Sequence, residues 1–301
     1  MTTIKTALSR RNKLSGMDWL FDLLVYAMAI IAVLITLLPF VYVIMASMSS
    51  AEAVFGGKVF LWPVDFTLGG YKQVLAQRNL WTAYGNTLLY TSFGTLFNIA
   101  ATALAAYPLA QRRFFARKFL NFFITFTMYF SGGLIPTYLV ITSLGLYNSR
   151  WVMILPGLLS TYNVMVCRTA FAAIPEEIIE SAEIDGANDL RIFFSLAIRL
   201  VGPTLAVLTL YYAVGHWNNF FTALMYLSKE DLMPLQVLLR RVLIESSGEL
   251  LGNNIQIDQA GAISIQIRYV TIVVATLPIL LIYPLLQRYF VKGVMLGAVK
   301  G

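Results

Sequence analysis

The densest group of charged side chains in the sequence lies between residues 175 and 189. Pro175 is suited to the start of a helix, where acidic side chains in the first turn complement the helix dipole. Asp185-Gly186 is a turn signal, and Asp185 or Asn188 is suited to cap a second helix. The pattern predicts a short helix–turn–helix, which either docks into a groove of another protein or is a solvated loop. Its acids are six of the chain's 15: Glu176, Glu177, Glu180, Glu183, Asp185 and Asp189.

A second group of polar side chains interrupts an apolar segment, at Tyr212, His216, Trp217, Asn218 and Asn219. Polar groups inside a membrane are costly and usually functional. These residues are therefore candidates for a polar path through the membrane. Hydrogen bonding between helices is the alternative. The single His and single Cys give no ligand set for a metal, and we predict no metal site and no catalytic residue.

Composition places these groups in a membrane protein. The 301 residues are 58% hydrophobic and 12% charged, and their mean hydropathy is +0.73. The charged fraction is about half that of a soluble domain, and the apolar content excludes disorder. We predict an all-α, polytopic membrane protein. Its apolar segments suggest about six transmembrane helices, near residues 19–46, 81–110, 119–144, 151–173, 201–227 and 269–291.

The basic residues set the predicted orientation. Six spans place both termini on one side, and that side collects 14 of the 22 Lys and Arg residues, so both termini are predicted to be cytoplasmic. Residues 1–18 then form a basic cytoplasmic N-terminus, residues 19–291 the transmembrane domain and residues 292–301 a cytoplasmic tail. The acidic stretch falls in a cytoplasmic loop, about 174–200, and the large outer loops are about 47–80 and 228–268.

Several segments resemble binding-protein-dependent ABC importer permeases. Glu180-Ser181-Ala182, Asp185-Gly186-Ala187 and Pro203 resemble the "EAA" loop of that family. The segments that are similar to its carbohydrate branch are residues 128–136, 168–171, 174–175, 217–219, 223–227 and 292–301. That branch includes the smaller maltose-transporter permease and importers of complex oligosaccharides. The resemblance covers most of the chain after about residue 20. The sequence departs from the family at Ser181, where Ala is usual, and at Arg199, where Pro is usual; Arg199 leads us to expect that the second loop helix continues towards the fifth span.

The resemblance implies a type I ABC importer permease fold in the bacterial cytoplasmic (inner) membrane. It implies a second, different permease, two ATPase subunits that hold ATP and Mg²⁺, and an extracytoplasmic solute-binding protein that delivers an oligosaccharide. The chain has no Gly-x-x-x-x-Gly-Lys-Ser/Thr motif and is expected to bind no cofactor itself. The resemblance assigns ATPase coupling to Glu180, Ser181, Ala182, Asp185, Gly186 and Ala187, and a tail contact with the ATPase to Gly293, Gly297 and Lys300. With a sugar as the implied substrate, the amide and aromatic side chains of the second polar group, which suit sugar hydroxyl groups and CH faces, are candidates for the substrate path.

Two other classes remain as alternatives. An ion-coupled secondary transporter would need intramembrane carboxylates, and the central parts of the predicted spans hold none. A membrane enzyme would need convergent acid, base or metal groups. Co-purification with an ATPase and a second permease would separate both from an ABC permease. Basic residues on the predicted outer side, Lys58, Lys72, Arg78, Arg240 and Arg241, are compatible with an acidic oligosaccharide such as an alginate or pectin fragment.

Overall fold

A computed structural model describes residues 16–251, 263 and 265–281 of the chain. This part of the chain consists of helices joined by short loops and contains no strand. Three short helical segments are not α-helical: 3₁₀ turns at Arg150–Met153 and Glu230–Leu232, and a π turn at Phe193–Ala197. The α-helices are α1 Gly16–Ser47, α2 Ala51–Phe55, α3 Gly69–Ala76, α4 Arg78–Ala110, α5 Arg117–Tyr129, α6 Leu134–Ser143, α7 Thr161–Ala172, α8 Glu176–Ile184, α9 Asp189–Ile192, α10 Ile198–Leu200, α11 Gly202–Trp217, α12 Phe221–Tyr226, α13 Leu235–Leu251 and α14 Ile265–Leu281.

The chain divides into two compact units. The first takes its described residues from Met1–Tyr71 and Asn253–Val273. Within it, the Ser47 and Tyr71 hydroxyls lie 2.8 Å apart, and Gln266 donates a 2.6 Å hydrogen bond to the Ser49 carbonyl. Side chains 19–40 of α1 are all exposed. A helix that is apolar on every side and has no internal partner suits a lipid environment.

Among the described residues, helix length and hydropathy alone identify fewer complete spans than the six predicted for the whole chain. Two described helices are long and apolar enough to cross a membrane, Trp19–Ser47 and Arg78–Ala110. Two bent pairs raise the number to four if each pair is one span. The sixth predicted span is described only through Leu281, and its remaining residues lie outside the described part of the chain.

The third, fourth and fifth predicted spans are each interrupted by non-helical residues. The third is broken between α5 and α6, and the helix axis bends by 118° at the break. Gly133 at this break has φ 84°, a conformation that glycine adopts without steric cost. In the fourth, Pro156 and Gly157 separate the 3₁₀ turn from α7. The fifth is interrupted between Trp217 and Phe221, and at its start α11 bends by 79° from the helical run Asp189–Leu200.

The second unit takes its described residues from Lys72–Gly252 and Val274–Gly301, and α4 is at its centre. The helix α4 packs against both α7 and α11, around fully buried Ala106, Cys167 and Leu208. Small residues on α4 allow this close approach, as is common between membrane helices. At Gly94, a Cβ atom would clash with the His216 ring, so the close packing of α4 against α11 favours glycine at this position.

Candidate functional site

The acidic stretch folds as the predicted helix–turn–helix. Glu176 and Glu177 lie in the first turn of α8, after Pro175. The turn that ends α8 has Gly186 at φ 82°. The Gly186 amide donates to the Glu183 carbonyl at 2.9 Å, and the Ala187 amide to the Ala182 carbonyl at 3.0 Å. This pair of bonds is the Schellman arrangement, which satisfies two carbonyls at the helix end and favours glycine at the left-handed position.

The second helix of the loop begins at Asn188. The Asn188 side chain accepts a 2.8 Å hydrogen bond from the Arg191 amide, so Asn188 caps α9, whereas Asp185 ends α8. From Asp189 the chain remains helical through a π turn as far as Leu200. This helical run therefore includes Arg199 and ends one residue after it. Beyond it, the bend at Val201 shows that the helix does not continue straight into α11.

The inner side of the loop is held against the core of the second unit, to which the loop belongs. Ile179, Ala182 and Ala187 are half-buried and pack on the core cluster that contains Tyr107 and Phe193. Two of the six predicted coupling residues, Ala182 and Ala187, therefore contact the chain's own core. Their small side chains allow α8 and the turn to lie close to α4 and the π turn.

Two arginines from the connection between α4 and α5 bind three of the six acids. Arg113 forms an ion pair of 2.5 Å with Glu183 and a second one with Asp189, and so links the two loop helices. Arg112 lies 3.4 Å from Glu176. Burial opposes the charged form of Arg113, but the hydrogen bond to Glu183 and the charges of Asp189 and Glu183 outweigh it and raise the pKa of Arg113.

The sequence analysis did not predict this role of Arg112 and Arg113, which are among the 14 basic residues of the predicted cytoplasmic side. The available signal was the presence of a basic cluster and an acidic cluster on the same predicted side of the membrane. The pairing leaves Glu177, Glu180 and Asp185 without an ion pair among the described residues.

The loop exposes apolar side chains as well as these acids. Ile184 is 87% exposed, Leu190 66% and Phe194 60%. We call five exposed residues of the loop the loop face: Glu180, Ile184, Asp185, Leu190 and Phe194. Ser181 and Gly186 are also exposed beside it. Exposed apolar patches that are ringed by polar groups are typical of protein–protein interaction sites.

The polar residues of the fifth predicted span take different positions. Tyr212 is buried; its hydroxyl lies 2.8 Å from Oγ1 of Thr102 and accepts a 3.2 Å hydrogen bond from the Ser160 amide. Nε2 of His216 lies 2.6 Å from Oδ1 of Asn98. We call the four side chains Asn98, Thr102, Tyr212 and His216 the interhelix network, because they join α4 to α11.

The interhelix network also supports the irregular backbone before α7. The Asn98 amide donates to the carbonyls of Gly157 and Leu158, at 2.6 and 2.8 Å. Non-helical backbone within a membrane needs such partners, because lipid offers none. Because Oδ1 of Asn98 must then face His216, the Nε2 of His216 is the donor in that pair.

Three further candidates lie at the carboxyl end of α11. Trp217 is buried, and its indole N–H has no partner among the described residues. Asn218 is exposed, and its amide donates to the Val214 carbonyl at 3.0 Å. Asn219 accepts a 3.2 Å hydrogen bond from the Thr222 amide and so supports the start of α12. The tail candidates Gly293, Gly297 and Lys300 lie outside the described residues.

Comparison with known proteins identifies the family. Residues 98–296 match the family described as the binding-protein-dependent transport system inner membrane component. The chain belongs to this family. The matched region holds the loop face and the interhelix network, so both are parts of an inner membrane component of a binding-protein-dependent importer.

Two relatives and one solved structure are similar to this permease over most of their length. The polygalacturonan/rhamnogalacturonan transport system permease protein YtcP of Bacillus subtilis (strain 168) is 41% identical over 94% of this chain and 99% of its own. Protein LplC of the same organism is 39% identical over 89% of this chain and 90% of its own. A chain in the crystal structure of a bacterial ABC transporter involved in the import of the acidic polysaccharide alginate is 34% identical. It has a TM-score of 0.85, with 92% of this permease and 98% of that chain covered.

These similarities confirm the predicted family and the all-α fold of a type I importer permease. The permease is a non-catalytic subunit of an ABC importer, and ATP is hydrolysed by a separate ATPase subunit. Its importer depends on a solute-binding protein.

Proposed function

We propose that the permease lines the translocation pathway of an ATP-driven importer for acidic oligosaccharides. It works beside a second, different permease, above two ATPase subunits that hold ATP and Mg²⁺, in a bacterial inner membrane that it crosses several times. The substrate class is supported by the relatives, because one is named for polygalacturonan and rhamnogalacturonan and the structural neighbour takes part in alginate import. Uronate units occur in all three polymers.

The observation that carries the coupling role is the division of the loop into two sides. Its inner side is fixed by the core and by Arg113, while its outer side exposes Glu180, Ile184 and Asp185. A loop fixed on one side moves as a unit with α4 and α11. A push on the loop face by the ATPase is therefore transmitted to the helices of the pathway, as in rigid-body switching.

The contact chemistry of the loop face fits a groove in a partner protein. Ile184, Leu190 and Phe194 supply apolar area, and burying one such side chain contributes about 1.5–3 kcal/mol. The carboxylates of Glu180 and Asp185 are free to pair with cationic groups at the rim of the groove. Such charged groups mainly set orientation and specificity.

A substitution at Gly186 tests the coupling role. Gly186→Leu forces a branched side chain into a left-handed backbone conformation and should reshape the loop face. We expect the variant complex, reconstituted in liposomes with its binding protein, to lose the sugar-stimulated part of ATP hydrolysis. Gly145→Leu is the matched control, because Gly145 has φ 70° and lies outside the loop. Normal stimulation in Gly186→Leu, or equal loss in both variants, would contradict the proposal.

A further inference from the structure

Two adjacent arginines on α13 have different partners. The Arg241 guanidinium pairs with the Glu230 carboxylate at 3.0 Å. The Arg240 guanidinium instead lies over the ring of Phe220, 4.8 Å from its centroid. Among the described side chains no carboxylate pairs with Arg240. Arg240 is exposed, so its charge is open to a ligand from outside the chain.

The ring of Phe220 holds the Arg240 guanidinium in place but accepts no in-plane hydrogen bond from its N–H groups. A cation over an aromatic face is attracted by the ring, but the N–H groups around the guanidinium plane remain available. These donors form a planar fork that matches a carboxylate in a bidentate way. Arg240 is thus held in one place with its carboxylate-binding edge free.

Two amide side chains, of Gln236 and Asn218, join the helix that carries Arg240 to the end of α11. Gln236 is one helical turn before Arg240 on α13, and residues four apart share a helix face. The Gln236 amide donates to Oδ1 of Asn218 at 3.4 Å, which links α13 to the end of α11. This bond leaves the Gln236 carbonyl oxygen and one of its N–H groups for other partners, and both suit sugar hydroxyl groups. The aromatic, amide and guanidinium groups together match the apolar face, hydroxyls and carboxylate of a uronate.

The length of α11 separates this cluster from the cytoplasmic loop. α11 begins two residues after the loop helix α10 and has 16 residues. At 1.5 Å per residue it spans about 24 Å, which approaches the hydrocarbon thickness of about 30 Å. With the loop on the cytoplasmic side, Asn218 and Phe220 lie near the outer boundary of the membrane. A solute-binding protein releases its sugar on that side.

We propose that Phe220, Gln236 and Arg240, together with Asn218, form an entry site that binds the carboxylate of an acidic sugar unit as it leaves the binding protein. Arg240 selects uronates over neutral sugars at this site. The inference rests on the function proposed above. It adds the residue, Arg240, that distinguishes an acidic substrate from a neutral one.

The test uses the reconstituted complex with saturating binding protein and two sugars, trigalacturonate and its methyl ester. Uptake per ATP hydrolysed by each variant is expressed relative to wild type for the same sugar. We expect Arg240→Gln to lower trigalacturonate uptake roughly tenfold, as for one lost charge-assisted contact. Uptake of the ester should not change. Arg240→Lys should restore part of the loss, and Arg241→Gln, the matched control, should leave both sugars unaffected.

The possible outcomes separate a role in sugar binding from a role in folding or docking, and the entry site from the substrate class. Equal losses for acid and ester would show that Arg240 serves folding or docking of the binding protein, and would overturn the entry site. Unchanged uptake of the acid by Arg240→Gln would overturn it as well. A wild-type complex that imports neither sugar while still hydrolysing ATP would instead overturn the proposed substrate class, before any variant is compared.

Discussion

The loop between α7 and α11 and the interface of α4 with α11 use polar side chains in opposite ways. In the interhelix network, Asn98, Tyr212 and His216 find their partners within the second unit. On the loop face, Glu180 and Asp185 have none among the described residues, and they lie beside exposed Ile184. Buried polar groups that are satisfied give rigidity, while exposed and unsatisfied groups beside apolar area indicate a partner.

The same contrast exists within the loop itself. Glu176, Glu183 and Asp189 pair with arginines of the same chain, and Glu177, Glu180 and Asp185 do not. The acidic stretch therefore consists of a structural half and an outward half. Substitutions in the outward half should disturb function with the fold intact, and substitutions in the interhelix network should disturb the fold first.

The largest effect is expected from a charge placed in the apolar centre of the loop face. Ile184→Glu should reduce binding of the ATPase subunit by about a hundredfold, because the lost apolar contact and the buried charge together cost about 3 kcal/mol or more. Thermal stability of the isolated permease should not change, since Ile184 is 87% exposed. Affinity can be measured by titrating the ATPase onto permease in nanodiscs.

The same helix supplies a control for this prediction. Ile178 lies on a different side of α8 and is 37% exposed. Ile178→Glu adds the same charge to the same helix and should change ATPase affinity much less. Comparable losses in both variants would mean that net charge, and not the loop face, governs the association.

An intermediate effect is expected in the interhelix network from two glycines of α4. Gly94→Ala places a methyl group against the His216 ring and should displace it from Asn98, which lowers the free energy of unfolding by about 1–2 kcal/mol. Gly85→Ala meets no atom within 4 Å and should be neutral or stabilising by up to about 1 kcal/mol. Thermal unfolding in detergent measures both, and shifts of the same sign would refute the packing argument.

The smallest effect is expected from the ion pairs on the inner side of the loop. Exposed ion pairs contribute about 0.2–1 kcal/mol each, and Arg113 makes two. Arg113→Gln should therefore destabilise the permease by about 1 kcal/mol, and the difference should shrink at high salt. Arg112→Gln removes one longer pair and should have less effect. A loss from Arg113→Gln that is independent of salt would argue against an electrostatic role.

Local signals in the sequence were sufficient for the loop and insufficient for its surroundings. Pro175, Gly186 and Asn188 act on their own neighbours, so the helix–turn–helix could be predicted. The pairing of Arg113 with Asp189 and of Asn98 with His216 joins residues 76 and 118 positions apart, which no local pattern encodes. The breaks in the spans were visible as Gly132-Gly133 and Pro156-Gly157 but were outweighed by the apolar length of the segments.

The central claim is that the loop face contacts the ATPase, and site-directed cross-linking tests it most directly. The chain has one cysteine, Cys167, which is buried, so Glu180→Cys introduces one accessible thiol. In the assembled complex, a short bifunctional reagent should join Cys at position 180 to the ATPase subunit, with a yield that changes when ATP is added. Asn218→Cys, at the far end of α11, should give no such product. A complex in which position 180 never cross-links to the ATPase, or in which both positions do so equally, would contradict the account.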